Sequence, residues 1–288
     1  MTSGTGLPNS LTRMAQALRD TPAARRVALT ALSLVRRIAR APAGVYTLCY
    51  HHVPASHRSN FARQLDYLAR HGTFVRADEA LELIRSGGAR SGRFFLLSFD
   101  DGYADLVDVA LPLLAKRAIP AIAFVVSSWL DSPPGPATAR ADGYLSRADL
   151  ELWRRRGMDV GSHSHSHPLL INLSDDEVGD ELRRSSAVLA EVLGQAPRHF
   201  ACPWGVPERD FRPERAQRLA EAAGYVSFFT TTRGVATTPC DAWLMPRHVV
   251  EPDWRLRELD ALIGGSRLQR KPFVDRQSWN EGQCRSSS

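Results

Sequence analysis

The stretch FFLLSFDDGYADLVDVALPLLAKRAIPAIAFVV, residues 94–126, decides the fold. FFLLSF (94–99) and AIAFVV (121–126) are short apolar runs rich in aromatic and β-branched residues, the composition of strands buried on both faces. Between them, residues 105–117 carry apolar positions at helical period. A strand, a helix and a second strand in this compass imply neighbouring parallel strands.

Working outward, the same rhythm recurs. VYTLCY (45–50), MDVGS (158–162), HFAC (199–202), YVSFF (225–229) and LMPRHVV (244–250) read as strands, with helical patterns near 60–71, 77–86, 146–156, 174–193, 213–223 and 253–263. The clearest helix opens with the capping box Ser174-x-x-Glu177, carries Val178, Leu182, Leu189 and Val192 on one face, and stops at Gly194. Seven alternations of strand and helix predict an α/β fold whose parallel sheet closes into a barrel-like shape. In that architecture functional groups sit where strands end and the following loops begin. His51 and His52 follow the first strand, Asp100 and Asp101 the second, His163 to His167 the fourth, and Pro203-Trp204-Gly205 the fifth. The Pro/Gly-rich stretch DSPPGPATARADG (131–143) follows the third strand and reads as a loop at that same end.

A chain of 288 residues, 43% hydrophobic and 24% charged, is long enough to bury a full core. The formal charge of +6 comes from arginine, since lysine occurs only at Lys116 and Lys271. Those arginines are spread along the predicted helices and form no basic block interleaved with aromatics, so no nucleic-acid partner is expected. Cys49, Cys202, Cys240 and Cys284 contain no C-x-x-C pair and read as buried apolar thiols. No apolar run approaches the ~20 residues needed to span a bilayer. Residues 21–40 form a basic amphipathic pattern with Val27, Ala31, Leu34, Val35 and Ile38 on one face, suited to packing on the domain or to peripheral contact with an anionic membrane. Arginine pairs flank Val27–Val35 and make it a poor export signal, so the expected location is cytoplasmic, peripheral to the inner membrane if that helix engages it. The expected division is an N-terminal helical segment 1–44, a catalytic domain 45–265 and a polar tail 266–288.

A hydrolytic zinc site draws three protein ligands from His, Asp and Glu and keeps an open position for water. The chain offers one aspartate pair and one histidine cluster at suitable strand ends. If HSHSH (163–167) stayed extended, His163, His165 and His167 would face one side. If the chain turns, residues four apart meet and His165 points away. Gly161-Ser162 before the cluster and Pro168 after it favour the turn, and so favour His163 and His167 as the ligand pair. Adjacent Asp100 and Asp101 can take different roles if the backbone bends at Gly102. One carboxylate on the metal and one held off it would supply Lewis acid and general base. The plain alternatives are a helix start for Asp-Asp-Gly and a solvated loop for the histidines. Their joint occurrence at corresponding strand ends argues against both.

LSFDDGYAD (97–105), GSHSHSHPLL (161–170) and FACPWG (200–205) resemble, in order and spacing, three motifs of the polysaccharide deacetylase family, carbohydrate esterases with a NodB-homology domain. The resemblance covers roughly residues 45 to 250. It implies a distorted (β/α)7 barrel and a divalent metal, commonly zinc, with cobalt, nickel, manganese or iron also suited to such ligands. It further implies removal of acetyl groups from N-acetylated saccharides. Carried over by position, Asp101, His163 and His167 bind the metal and Asp100 is the base. The backbone N–H of Trp204, beside Pro203, helps hold the oxyanion. Two departures stand out. Ala201 replaces the usual arginine of the third motif, and the late Leu-x-His motif that supplies a general acid is missing, His248 being in the wrong setting. A subgroup containing poly-N-acetylglucosamine deacetylases carries the acid in an early Tyr-His-x-Val segment, and this chain has YHHV at 50–53, which makes His51 the expected acid and His52 its competitor. Arg247 is the candidate to replace the missing arginine beside Asp100, and is grouped with Trp204 and Pro203 near the substrate. The competing functions are deacylation of a non-sugar amide or O-acetyl ester, and a catalytically silent glycan-binding protein.

Overall fold

Strands β1 (Gly44–Tyr50) and β3 (Arg93–Phe99) pair in parallel along their whole lengths, from Gly44 against Arg93 to Tyr50 against Phe99. This is the centre of the sheet in a computed structural model that describes residues 42–131 and 143–263. β1 is followed by α1 (Arg58–Ala69), the two-residue strand β2 (Thr73–Phe74) and α2 (Ala77–Arg85). β3 leads through a π-helical turn (Leu106–Ala110) into α3 (Leu111–Lys116), then β4 (Ala121–Val125), α4 (Arg147–Arg155) and β5 (Asp159–Ser162). The chain continues through α5 (Asp175–Leu193), β6 (His199–Ala201), α6 (Pro213–Ala222), β7 (Ser227–Phe229) and β8 (Arg247–Val249).

The strands run β7-β6-β5-β4-β3-β1-β8, all parallel, with β2 alongside β3. A parallel bridge from Phe229 to Met245, just ahead of β8, joins the two ends of this path and nearly closes it. The result is the expected distorted barrel of seven parallel strands with helices. Every predicted strand and helix over the described residues is present. β2 and the π turn were not legible: two residues carry no periodicity, and a π turn has the same apolar spacing as the helix it opens.

Aromatic and branched side chains fill the barrel, as in any small closed sheet. Phe124 meets Phe229 with ring centroids 5.0 Å apart, among buried Val45, Leu96, Ile122, Ala201 and Met245. Gly161 is required there, because a Cβ at that position would lie 2.4 Å from the Phe124 ring. Outside, α5 starts and stops as its sequence predicts. Ser174 Oγ accepts from the Glu177 N–H and Glu177 Oε2 from the Ser174 N–H, while Gly194 ends the helix at φ +74°.

Cys49 and Cys202 are buried free thiols as expected, but Cys240 is exposed and does not fit that expectation. Among the described residues no helix is long and apolar enough to cross a membrane. Arg255–Ile263, which contains α7 (Leu256–Ile263), belongs to a compact unit distinct from Pro42–Trp254. The amphipathic helix expected over residues 21–40 and the tail from 266 lie outside the described residues, as does most of the 131–143 loop.

Candidate functional site

The C-terminal ends of β3, β5 and β6 share a backbone peculiarity. Asp101, Ser164, His167 and Trp204 all hold positive φ, at 71°, 65°, 62° and 62°. For side-chain-bearing residues this conformation costs on the order of 1 kcal/mol or more each, and it persists only where surrounding contacts enforce it. Its effect is to bend each strand end sharply. Gly102 at φ +81° completes the bend after Asp101, so the two adjacent aspartates diverge.

The bends bring Asp101, His163 and His167 together, with ligand atoms all within 4.8 Å of one another. Asp101 Oδ1 lies 3.6 Å from His163 Nε2 and 3.5 Å from His167 Nε2, too far for hydrogen bonds. This oxygen is buried and has no hydrogen-bond partner among the described residues. The other oxygen, Oδ2, accepts from the Tyr103 hydroxyl at 2.9 Å. His163 Nδ1 lies 2.8 Å from the Ala201 carbonyl, which can only accept, so Nδ1 carries the proton and Nε2 presents its lone pair. Burial, with the neighbouring His163, holds the His167 imidazole down to about 4 despite the pull of Asp101, so His167 is neutral near pH 7. A tetrahedral zinc with bonds near 2.1 Å sets its ligand atoms roughly 3.4 Å apart. The orphaned oxygen, the two free nitrogens and their spacing therefore fit a divalent cation.

His165 takes no part. Its Nδ1 lies 2.9 Å from Ser127 Oγ, and its N–H donates to Glu181 Oε2 at 2.9 Å. Glu181, from the middle of α5, also accepts from the Ser166 N–H at 2.8 Å and the Ser166 hydroxyl at 2.7 Å. With Ser164 Oγ accepting from the His167 N–H at 2.9 Å, these bonds hold the turn that the sequence suggested.

Asp100 is buried beside this group and turned toward β8. Arg247 Nη1 donates to Asp100 Oδ1 at 2.6 Å and Arg247 Nε to the Thr230 carbonyl at 2.8 Å. Burial alone would raise the Asp100 carboxyl, but the charges of Arg247 and His163 outweigh it and hold the group well below the usual carboxylate range. Asp100 Oδ2 stands 3.8 Å from His163 Nε2, next to the putting-together of ligands rather than in it. Arg247, the arginine expected beside Asp100 in place of Ala201, is thus paired with that carboxylate from a different strand. Its grouping with substrate-contacting residues is corrected: the side chain is wholly excluded from solvent and no substrate can reach it.

The two early histidines separate cleanly. His52 Nδ1 lies 3.0 Å from Asp105 Oδ2 and its ring stacks on Tyr103 at a centroid distance of 3.6 Å. His51 is half-buried and its ring nitrogen groups with Asp100 and the Cys49 thiol. A second cation among Cys49, His51 and Asp100 is disfavoured, because the Arg247 guanidinium already neutralises that carboxylate. His248, buried on β8, stacks on Tyr46 and lies outside the cluster.

Trp204 is 57% exposed, with its ring 5.5 Å from that of His167, and its N–H donates to no group among the described residues. Trp129 approaches His167 from another side at 5.3 Å. Pro203 is buried and its carbonyl accepts from the Gly205 N–H at 2.6 Å, so it shapes the turn and is corrected from a substrate contact to a structural residue. Sequence reasoning missed Tyr103, Trp129, Glu181 and Asp105. Tyr103 could have been found, since it sits one residue beyond the Asp101-Gly102 bend; Glu181 could not, since nothing in a helix midsection marks which loop it reaches.

Residues 87–227 match the family described as polysaccharide deacetylase. A chitooligosaccharide deacetylase from Bradyrhizobium sp. (strain ANU 289) is 31% identical over 136 residues, 44% of this chain and 53% of that protein, so the chain spans about half the length of this curated relative. IcaB from Ammonifex degensii superposes with a TM-score of 0.66 at 26% identity, covering 78% of this chain and 99% of its own. The deacetylase PplD of Streptococcus pyogenes, solved with acetate, shares the fold with a TM-score of 0.63 at 21% identity, covering 77% and 99%.

Proposed function

We propose that this chain, which belongs to the polysaccharide deacetylase family through residues 87–227, is a metal-dependent hydrolase that removes N-acetyl groups from N-acetylhexosamine-containing glycans or their precursors. The observation that carries the reading is Asp101 Oδ1, a buried carboxylate oxygen with no hydrogen-bond partner among the described residues, facing two histidine nitrogens beside a second, separately neutralised aspartate. Asp101, His163 and His167 would hold the cation. When bound, it would supply Lewis acidity toward the acetamide carbonyl and lower the pKa of a water molecule.

The chain's own residues divide the remaining work. Arg247 occupies Asp100 Oδ1, leaving Oδ2 to take the proton from the attacking water. As the water oxygen bonds to the carbonyl carbon, negative charge collects on the carbonyl oxygen. The N–H of Trp204, unengaged among the described residues, is a donor for that charge. Collapse breaks the C–N bond, and His51 gives its proton to the departing nitrogen, yielding acetate and a free amine. His52 is less suited to the task, because its Nε2 is buried and its ring is stacked on Tyr103. The exposed face of Trp204 and the nearby Trp129 suit the apolar face of a pyranose ring.

The test is release of free amine from N-acetylglucosamine oligomers by the purified protein with and without added zinc. We expect turnover with metal, loss with chelator, and loss in Asp100→Asn at full metal content. Tight zinc binding without amine release from any acetylated sugar would refute the reading.

A further inference from the structure

The helix that follows the aspartate pair begins with a carboxylate that does not cap it. Asp105 flanks the π-helical turn, yet its side chain accepts no hydrogen bond from that helix's own N–H groups. It is 3% exposed and reaches to the loop after β1. Its Oδ2 accepts from the Val53 N–H at 2.9 Å and lies 3.0 Å from His52 Nδ1. An aspartate at a helix start gains readily from its own N–H groups. Burying it against a different loop forgoes that gain, and charge-assisted bonds to two donors offset the desolvation.

Both donors belong to the residues directly after His51. On the other side of His52, the ring lies on Tyr103 at 3.6 Å with an interplanar angle of 21°. The Tyr103 hydroxyl donates to Asp101 Oδ2, leaving Oδ1 as the oxygen that faces His163 and His167. One continuous path therefore runs from Asp105 through His52 and Tyr103 to Asp101, and the same carboxylate anchors the backbone two residues beyond His51.

We propose that Asp105 is a positioning residue that sets the His51 ring relative to the metal-ligand cluster, working through its bonds to His52 and Val53. The proposal rests on the reading of His51 as the acid. Loosening the loop would misplace the proton that the leaving nitrogen needs, while water attack, served by Asp100, would be less affected. Substrate leaving groups tell these apart. A sugar amine must be protonated to leave; 4-nitrophenolate leaves from 4-nitrophenyl acetate without a proton.

The experiment measures turnover of an N-acetylglucosamine oligomer and of 4-nitrophenyl acetate by the full chain carrying Asp105→Asn, Asp105→Ala or His52→Phe. It also follows amide hydrogen exchange at Val53. We expect the ratio of oligomer to ester kcat to fall at least tenfold in both Asp105 variants, with oligomer KM within about threefold of the parent and faster exchange at Val53. His52→Phe keeps the ring stack and loses one bond, so its ratio should fall less. Should Asp105→Ala fail to fold, the other two variants carry the test. An equal loss on both substrates, or an unchanged ratio with faster Val53 exchange, would overturn the proposal. His51→Ala in parallel separates the two failures. If it keeps the oligomer-to-ester ratio of the parent, the acid assignment is wrong and the proposal falls with it. If it shows the selective loss and the Asp105 variants do not, the positioning role alone is wrong.

Discussion

The Arg247 guanidinium stands 2.6 Å from Asp100 Oδ1, an ion pair in which both side chains are excluded from solvent. Removing one partner of such a pair leaves an uncompensated buried charge, at a cost of about 3–5 kcal/mol. Arg247→Met should therefore be strongly destabilised in urea, and Arg247→Met with Asp100→Asn should recover much of the loss. Where the single variant folds, its Asp100 carboxyl loses the charge that holds it low, and burial pushes it up. A general base that protonates at higher pH moves the acid limb of kcat/KM upward, so activity should fall near pH 5–6 where the parent's does not. A pH profile identical to the parent's would remove Arg247 from the mechanism.

Glu181 makes three hydrogen bonds to the turn carrying His167. Removing a residue that orients a ligand typically weakens metal affinity about 10–100-fold. Glu181→Ala should show that loss by zinc titration calorimetry while its far-ultraviolet circular dichroism stays that of the parent. Parent-like affinity would mean that Ser164 alone holds the turn.

The depressed His167 imidazole makes the metal-free fold sensitive to acid. Its native value of about 4 lies below the ordinary 6.5, so between those limits the unfolded chain binds the extra proton. Stability should be fully expressed above about pH 6.5 and fall as pH drops toward 4, by on the order of 3 kcal/mol from this group. Urea midpoints of the chelated protein across that range, compared with His167→Asn, check it. The variant should have a flatter profile.

Trp204 and Gly205 are neighbours with opposite consequences. Trp204→Ala removes a largely exposed ring and should change the thermal midpoint little, while raising KM for an N-acetylglucosamine oligomer several-fold. Gly205 holds φ +76°, and a Cβ there would lie 2.9 Å from the Thr231 backbone nitrogen. Gly205→Ala should lower stability by about 1–3 kcal/mol and disturb the Trp204 N–H with it. A stable, fully active Gly205→Ala would show that this turn does not shape the site.

The order of strands and helices, the strand-end placement of each polar cluster and the choice of His163 and His167 over His165 were all legible along the chain. Each depends on local periodicity or on a turn signal such as Gly161-Ser162 and Pro168. Arg247 was legible only as a candidate. Its partner lies 147 residues away, and whether a charged side chain is on the surface or sealed beside a carboxylate depends on which strands become neighbours. The difference between the surroundings of His51 and His52 had the same character, since Asp105, 3.0 Å from His52 Nδ1, is 53 residues away along the chain.

By itself, then, the sequence determined the barrel and the kinds of chemical group at its rim, because hydrogen-bonded elements and their buried faces follow from residues close together in the chain. Only the tertiary structure decided what each of those groups touches. Proton affinity, ligand geometry and access to substrate are set by atoms a few ångströms away in space, and those atoms come from distant strands.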